Sequence, residues 1–575
     1  MKRGLLLILA VSALMLGPLL TSSHAAIGDY DLSSPKDGDV DGKDLAALIA
    51  SGGSDVAGFA GYFGQTYTIA TRPPNILLII ADDVGLDLTT NAYPGLISDL
   101  TALYGPSGWN RTGYEKITGR PASLPVLTDR LAQQGMVFAN AWAQPFCSPT
   151  RATVITGLFV DKTKVATYDE PLMNTHTTFV QLLKDANYST AVFGKWHLSG
   201  PKNNYTGVLP KQVGFDLFKG HLDSAVSPTY WSYNYFIQDG ATASTTYRTE
   251  SAPTRSLSGI NPTTFEPVVR AADTIEWINA RQAEDPAKPW FVWLAFNESH
   301  VLVPPDTPYY HVPNADTLDA ESLAEVSACG GQPGSSNNGT CTALPLMRAM
   351  TNSMDTVIGK VLDKVETLGS DTYVIYIGDN GSWSNNIDNM YITTSGRGKT
   401  TPYESGARVP VVIRGPGIAA GRSTEFVHAA DLFSTILTLA GLTPPPTNFN
   451  NTGAVVPSDS VSLTPILFGS APAVRDPNEG YLLTEVGAYS FSPAKVGARN
   501  ASYKVICNMN TSNSNCTFYR LAQDPENPLL LPDPLEEYPL TKPTSCTNFR
   551  TWPTSNPDWH YCRLIEVMTL YSIFP

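Results

Sequence analysis

Short, uninterrupted runs of apolar residues are the most regular feature of the hydrophobic pattern along this chain. The runs that matter most are NILLIIADD (75–83), STAVFGKWHLSG (189–200), PWFVWLAFNESH (289–300) and TYVIYIGDNG (372–381). Runs of this length without polar alternation favour strands that are buried on both faces, as in parallel sheets. The pattern therefore predicts an α/β fold built on a mostly parallel sheet.

Polar side chains follow several of these predicted strands at the point where each strand ends. Asp82 and Asp83 follow the first run, Asp379 and Asn380 the last, and His300 the third. Open α/β sheets bind ligands at the edge formed by the carboxyl ends of their strands. Each case alone is explained by a solvated turn or a helix cap, but together they predict one site assembled from distant segments.

The side chains at this predicted edge offer mainly oxygen ligands. Asp82, Asp83, Asp379 and Asn380 suit a hard divalent cation and argue against a thiolate zinc site. Calcium tolerates a crowded, irregular cage of oxygen atoms better than magnesium does. The sequence therefore predicts a metal site, with Ca²⁺ favoured over Mg²⁺.

The N-terminus has the pattern of a secretory signal peptide. Met1-Lys2-Arg3 precedes an apolar stretch, and small residues follow it around Ala25. A membrane anchor is the alternative, but no stop-transfer pattern appears, and no later stretch reaches the roughly 18 apolar residues that a spanning helix needs. Residues 1–25 are predicted to be a signal peptide, and the protein to be secreted or periplasmic, with no membrane span.

The segment that follows, residues 26–71, contains the acidic sequence DGDVDGKD. This sequence is similar to the second half of an EF-hand-type or dockerin-like calcium loop. Counting back from Asp44 as the twelfth position puts Ser33 and Pro35 where the first and third ligands should be, so the loop is incomplete. Residues 26–71 are either an acidic linker or a partial calcium-binding segment.

Seven cysteines are present, and the oxidising compartment that an exported protein enters favours disulfides. Six of them form three short-range pairs along the chain, which predict local disulfides: Cys329 with Cys341, Cys507 with Cys516, and Cys546 with Cys562. Cys147 is left over. It is either a buried, inert thiol or a functional residue.

Cationic side chains lie close in sequence to several of the residues discussed above. Arg151 lies about one helical turn after Cys147, Lys195 and His197 end the second apolar run, and Lys399 lies in a glycine-rich loop before another short strand. The formal net charge of the 575-residue chain is −14, but a local pocket is governed by its own charges. These cationic residues predict that the substrate carries a compact anionic group such as sulfate or phosphate. No nucleic-acid partner is predicted for this acidic chain.

Five motifs occur along the chain in a fixed order: the aspartate pair 82–83, C-x-P-x-R as Cys147, Pro149 and Arg151, the G-K-x-H motif ending in Lys195 and His197, the D-N-G motif from Asp379, and G-K-x-x-x-Y-E-x-G-x-R-V-P around Lys399. In identity and order they resemble the motifs of the type I, formylglycine-dependent sulfatases (arylsulfatase-like) of the alkaline phosphatase-like superfamily. The resemblance implies a large mixed, mostly parallel sheet sandwiched by helices. It assigns residues 72–447 to a sulfatase catalytic domain and 448–575 to a smaller C-terminal α+β subdomain.

The resemblance also implies the chemistry. A formylglycine-generating enzyme would oxidise Cys147 to formylglycine, whose hydrate attacks the sulfur of a sulfate ester of an aryl alcohol or a carbohydrate. The implied metal ligands are Asp82, Asp83, Asp379, Asn380 and modified residue 147. Lys195 and Lys399 would bind sulfate, Arg151 would stabilise the hydrate, and His300 and His197 would transfer protons.

Two alternatives remain at this stage. Relatives on the same fold hydrolyse phosphate or phosphonate esters, and an inactive protein could bind a sulfated glycan. The aromatic stretch from Ser227 to Phe236 could stack on the substrate or form a buried cluster, and His221 could line the pocket or be an ordinary loop histidine. The insertion between His300 and Met347 could be a lid.

Overall fold

The computed structural model divides the chain into two compact units, residues 1–73 and 74–575. It describes residues 48, 72–92, 121–168, 170–200, 206–300, 310–369, 371–383, 397–487, 494–509, 515–521, 536 and 539–570. The predicted signal peptide and the partial calcium loop at 29–44 lie outside these residues. Everything below concerns the second unit.

Nineteen strands lie in the described part of the chain. They are β1 (Asn75–Ala81), β2 (Met136–Trp142), β3 (Ser189–Lys195), β4 (Leu217–His221), β5 (Pro228–Thr229), β6 (Ser232–Gln238), β7 (Arg248–Ser251), β8 (Arg255–Leu257), β9 (Ile260–Thr263), β10 (Trp290–Ala295), β11 (Thr372–Gly378), β12 (Val411–Arg414), β13 (Gly421–His428), β14 (Thr447–Phe449), β15 (Val455–Pro457), β16 (Leu482–Val486), β17 (Lys495–Arg499), β18 (Tyr503–Asn508) and β19 (Cys516–Arg520). All four predicted strands are present, as β1, β3, β10 and β11.

The main sheet has eleven strands in the order β13-β2-β12-β11-β1-β10-β3-β4-β6-β5, with β7 paired to β6. Its centre, from β11 to β4, is parallel throughout. Strands β12, β6, β5 and β7 add antiparallel pairs on either side. The sheet is therefore mixed and mostly parallel at its centre, as predicted.

The helices cover both faces of this sheet. They are α1 (Leu86–Thr89), α2 (Cys147–Thr156), α3 (Val160–Thr163), α4 (Phe179–Asp185), α5 (Glu266–Glu284), α6 (Ala320–Ala328), α7 (Ala343–Glu366), α8 (Glu404–Ala407), α9 (Asp431–Leu439), α10 (Thr464–Leu467) and α11 (Pro557–Leu570), with a π-helix at Val126–Ala132 and short 3-10 turns at Thr90–Ala92, Pro210–Val213, Ala315–Thr317 and Phe549–Thr551. Helix α5 and helix α7 pack on one face. Helices α2, α4 and α9 pack on the other face.

Packing on both faces explains the uninterrupted apolar runs in the sequence. Leu77 and Ile79 of β1 point into the core beneath α5 and α7, whereas Ile76, Leu78 and Ile80 point into the core beneath α2, α4 and α9. Because successive side chains of a strand alternate between faces, a strand covered on both sides needs apolar residues at every position.

A separate antiparallel sheet, β16-β17-β18-β19, forms the C-terminal subdomain together with α11. All three predicted disulfides are present. Cys507–Cys516 joins β18 to β19, and Cys329–Cys341 closes the loop between α6 and α7. Cys546–Cys562 joins α11 to the segment that precedes it in the chain. Cys147 forms no disulfide, as predicted, and its side chain is buried. Among the described helices, none is long and apolar enough to cross a membrane.

Candidate active site

The predicted site residues meet at one edge of the main sheet. Strands β11, β1, β10, β3 and β4 are parallel neighbours, so their carboxyl ends lie side by side. The residues at or just after those ends are Asp379 and Asn380 (β11), Asp82 and Asp83 (β1), Asn297 to His300 (β10), Lys195 and His197 (β3), and His221 (β4). The polar endings of separate apolar runs thus lie along one edge of the sheet.

Two glycines allow these segments to approach so closely. Gly194 has a φ of 103°, and a Cβ there would lie 1.8 Å from the carbonyl oxygen of Ala295 on β10. A Cβ on Gly381 would lie 1.8 Å from the carbonyl oxygen of Ser405 in α8. Real side chains cannot occupy that space, so only glycine fits directly before Lys195 and after Asn380.

Cys147 is the first residue of α2, and the helix delivers Arg151 one turn later. The helix ends at Gly157, whose left-handed conformation (φ 69°) caps it. Arg151 is fully buried, and its Nη2 and Nε donate to Oδ2 of Asp379 at 2.8 and 3.2 Å. Its Nη1 donates to the carbonyl of Lys195 at 2.6 Å. Arg151 therefore ties α2 to the ends of β11 and β3.

Three buried carboxylates are each paired with one buried cation. Asp379 pairs with Arg151, Asp82 with Lys195 Nζ through Oδ2, and Asp83 with Lys399 Nζ through Oδ1. Isolated buried charges are costly, so this one-to-one pairing is what lets six ionisable groups share a buried site. The set is close to neutral, and a divalent cation would give it a net positive charge.

The carboxylates of the pair 82–83 have shifted pKa values in opposite directions. Burial and the charge of Asp379 raise the pKa of Asp82 well above its usual value. Burial alone would also raise the pKa of Asp83, but the charges of Lys399 and His300 hold it below its usual value. Burial lowers the pKa of Lys399, yet the charge of Asp83 raises it above the usual range. Two adjacent aspartates therefore differ in acidity because their neighbours differ.

The donor set fits a hard metal ion. One ligand atom each from Asp82, Cys147 and Asp379 lie within 4.8 Å of one another, and the same holds for Asp82, Asp83 and His300. Asn380 Nδ2 donates to Asp83 Oδ1 at 2.8 Å and to the Gly381 carbonyl at 2.9 Å. Within the described residues, the buried Oδ1 atoms of Asp82 and Asn380 have no hydrogen-bond partner. Unpartnered buried oxygens beside such a cluster are what a bound cation would satisfy.

The three histidines at this edge have different surroundings. His197 and Asp83 both have left-handed backbones (φ 60° and 58°), which non-glycine residues adopt mainly at special sites. His300 shares the ligand cluster of Asp82 and Asp83. His221 pairs in register with Lys195, but its ring packs edge-on against Tyr233, 5.0 Å between centroids, and burial together with Arg270 lowers its pKa well below the usual value.

The turn that carries His300 is held by a residue that the sequence reading did not single out. Tyr230 Oη lies 2.8 Å from the carbonyl oxygen of Asn297 and 2.9 Å from that of His300. The ring is buried and packs against His311, whose Nε2 lies 3.1 Å from Glu298 Oε1. The aromatic stretch 227–236 thus contributes a buried cluster, and Tyr230 supports the His300 turn from behind.

The loop that carries Lys399 is held by the C-terminal subdomain. Glu404, in α8, accepts from the indole of Trp142 at 3.0 Å and from Lys504 Nζ of β18 at 3.1 Å. The backbone N–H of Glu404 donates to Glu536 at 2.7 Å, and Glu536 also pairs with Lys504 at 2.7 Å. The loop that carries Lys399 leads first into the short helix α8 and then into β12. The sequence predicted the strand but not the helix before it.

Comparison with known proteins agrees with this geometry. Residues 74–442 match the Sulfatase family model, and the chain belongs to the sulfatase family. It is 27% identical over 403 residues to N-acetylgalactosamine-6-sulfatase from Canis lupus familiaris, covering 65% of this chain and 64% of that relative's length. The chain thus spans just under two thirds of that relative.

Solved structures share the fold. One is the PsFucS1 sulfatase from Pseudoalteromonas sp., with a TM-score of 0.54 and 19% identity, covering 88% of this chain and 92% of that one. Another is a protein solved in complex with its substrate, D-glucosamine-2-N,6-O-disulfate, with a TM-score of 0.56 and 17% identity, covering 87% of this chain and 98% of that one. At these identities the likeness concerns the fold alone.

Proposed function

We propose that this protein hydrolyses a sulfate ester to an alcohol and inorganic sulfate. The observation that carries the proposal is the position of Cys147: its Sγ lies within 4.8 Å of ligand oxygens of Asp82 and Asp379, and it begins the helix that supplies Arg151. A buried thiol with only a packing role has no reason to face two carboxylates. A residue that is converted to an oxygen nucleophile at a metal site does.

Cys147 is proposed to be oxidised to formylglycine by a formylglycine-generating enzyme before the chain folds. The hydrated aldehyde supplies two hydroxyl groups on one carbon, one to attack sulfur and one to let sulfate leave. The folded site supports this timing, because the Cys147 side chain is buried and out of reach of another enzyme. The mature protein is proposed to be secreted or periplasmic, and the N-terminal signal pattern supports that proposal.

The metal is proposed to be calcium, held by Asp82, Asp83, Asp379, Asn380 and residue 147. When bound, it supplies positive charge that polarises the sulfate group and favours ionisation of a nearby hydroxyl. The protein's own cations complete the field. Lys195 and Lys399 are proposed to bind sulfate oxygens, and Arg151 to stabilise the hydrate and to fix the position of the Asp379 side chain beside residue 147.

Two histidines are proposed to move protons. His300 is less deeply buried than His197 (7% against 0% exposed) and is proposed to protonate the departing alcohol oxygen. His197 is proposed to act on residue 147 during sulfate release. Because the alcohol must leave toward solvent, the less deeply buried histidine suits that side of the reaction.

The substrate is proposed to be an aryl or carbohydrate sulfate. Support comes from the name of the N-acetylgalactosamine-6-sulfatase relative and from the glucosamine sulfate bound to a protein of the same fold. The test is sulfate release from 4-nitrophenyl sulfate and from sulfated amino sugars, with 4-nitrophenyl phosphate and a phosphonate ester measured beside them. Turnover of the phosphorus esters alone would replace this proposal with the phosphate or phosphonate hydrolase alternative.

Removing divalent metal is expected to abolish hydrolysis, and calcium is expected to restore it more fully than magnesium. The oxygen donors come from two separate segments, 82–83 and 379–380, and modified residue 147 would add a third, an irregular cage that suits calcium. A second measurement does not depend on turnover: calcium at about 100 times its dissociation constant should stabilise the fold by about 2.7 kcal/mol. Unchanged activity and an unchanged unfolding curve in chelator would contradict the metal assignment.

Tyr230→Phe is expected to lower kcat about 10-fold on sugar sulfates, because two backbone carbonyls lose their hydroxyl partner and the His300 turn loosens. The effect should be smaller on 4-nitrophenyl sulfate, whose good leaving group needs less help from a proton donor. Tyr235→Phe is the matched control, since that buried hydroxyl bonds Asp273 instead. Equal losses on both substrates would assign Tyr230 a purely structural role.

A further inference from the structure

Trp383 stands out because its ring lies beside the proposed catalytic centre but belongs to none of the hydrophobic clusters formed by the described residues. It follows Asp379, Asn380, Gly381 and Ser382 directly, and it is only half-buried. The other half-buried tryptophans of the described chain, Trp231, Trp277 and Trp552, all pack against a core cluster. Trp383 is absent from every such cluster among the described residues. Its apolar surface is therefore not used for folding in the way theirs is.

The Trp383 ring lies beside Lys399, the lysine that is proposed to bind sulfate. Lys399 Nζ lies 5.8 Å from the centroid of the Trp383 ring, and the same ammonium group pairs with Asp83. That distance is within the range of a cation–π contact. The indole consequently lies within one side-chain length of the position at which a sulfate group would be bound.

The backbone just before the indole is fixed. Ser382 is fully buried, and its carbonyl accepts from the N–H of Lys399 at 2.9 Å. Its hydroxyl donates to Asp87 Oδ1 at 2.7 Å and accepts from the N–H of Gly85 at 3.2 Å. These three hydrogen bonds tie the segment to the loops after β1 and before α8. A ring mounted on a fixed backbone can bind a ligand with little loss of conformational entropy.

The burial pattern indicates which part of a substrate would meet this ring. Asp82, Asp379, Asn380 and Cys147 are enclosed, so the sulfate group must enter among buried groups and its alcohol portion must point away from them. Trp383 is only half-buried and so marks that outward side, and His300 is the least deeply buried of the proposed catalytic side chains. Flat rings and the C–H faces of sugars bind well to an indole face, whereas a flexible chain does so less well.

We propose that Trp383 is a specificity-determining residue that stacks on the ring of the alcohol portion of the substrate, so that the site prefers sulfate esters of cyclic alcohols over open-chain ones. This inference rests on the proposed function, because it names the alcohol class accepted by the same site. The shared chemistry is a ring face, which either an aryl group or a pyranose can present.

The first test compares substrates in the metal-loaded, modified protein. Trp383→Ala is expected to lower kcat/KM about 10-fold to 100-fold for 4-nitrophenyl sulfate and for a pyranose sulfate, and less than about 3-fold for n-hexyl sulfate. Trp383→Phe keeps a ring and should retain most activity on the cyclic substrates. Equal losses on cyclic and open-chain esters would overturn the proposal, because a ring that only supports Lys399 would affect every sulfate alike. If only the aryl or only the pyranose sulfate responds, that ring type is the one recognised.

A second test does not require turnover. Calorimetric binding of cyclohexyl sulfate and n-hexyl sulfate is measured on a Cys147→Ala protein with and without Trp383→Ala. We expect cyclohexyl sulfate to bind more tightly than n-hexyl sulfate, and Trp383→Ala to remove that difference. If the modified wild-type protein hydrolyses no sulfate ester while the Cys147→Ala protein still binds cyclohexyl sulfate selectively, the proposed function is refuted and this inference is kept. Hydrolysis of sulfate esters without any ring preference would keep the proposed function and refute this inference.

Discussion

Cys147→Ala is expected to abolish sulfate ester hydrolysis, with a loss of at least about 10⁴-fold in kcat. The fold should survive, because alanine fits the buried first position of α2 without a new polar group or a clash. Turnover of 4-nitrophenyl sulfate is the direct measurement. Peptide mass spectrometry of the wild-type segment around residue 147 should show a loss of about 18 Da relative to cysteine, the change from a thiol to an aldehyde.

The sharpest control keeps the sequence unchanged. Wild-type protein made in a host without a formylglycine-generating enzyme retains the Cys147 thiol, so its activity should fall in proportion to the missing aldehyde. Full activity of the thiol form would eliminate the aldehyde as nucleophile. A fully modified, calcium-loaded protein that releases no sulfate from any ester would favour the sulfated-glycan-binding alternative instead.

The part of the site that the sequence predicted is the part encoded locally. The runs that became β1 and β11 are apolar at every position because both faces are covered, and their polar endings mark the sheet edge. Asp82, Asp83, Asp379 and Asn380 could therefore be placed together before any geometry was known. The disulfides were predictable for the same reason, since each joins cysteines separated by 16 residues or fewer.

What the sequence did not reveal depends on contacts between distant residues. Tyr230 supports the His300 turn from about 70 positions away, and Lys504 holds Glu404 across 100 positions. Neither residue has a local pattern that differs from an ordinary buried tyrosine or strand lysine. Their roles follow from tertiary packing, which the order of polar and apolar residues does not specify.

The pairing of charges in the site was also invisible in the sequence. The cations Lys195 and Lys399 were expected to contact sulfate, but the structure places each of them on a carboxylate of the pair 82–83. These lysines thus have a second effect, which is to offset part of the cost of burying the aspartate charges beside the proposed metal site. That dual role predicts that stability and metal binding are linked at each lysine.

Lys195→Met is expected to lower the free energy of unfolding by about 3–5 kcal/mol in the absence of metal, because Asp82 is left buried without its partner. The double variant with Asp82→Asn should recover most of this loss, since the neutral amide needs no counter-ion. Neither variant should hydrolyse sulfate esters. Chemical denaturation in chelator measures the stability, and sulfate release measures the activity.

The stabilisation that calcium produces distinguishes a charge at the proposed metal site from a buried charge elsewhere. In Lys195→Met the ion would supply the positive charge that Asp82 has lost, so calcium should stabilise this variant more than it stabilises wild type. Arg270→Met is the matched control, because it breaks a fully buried pair with Glu266 (2.8 Å) that contributes no proposed ligand. This control should lose comparable stability but respond to calcium only as wild type does. If calcium stabilises all three proteins equally, the Lys195 charge is not part of the balance at the metal site.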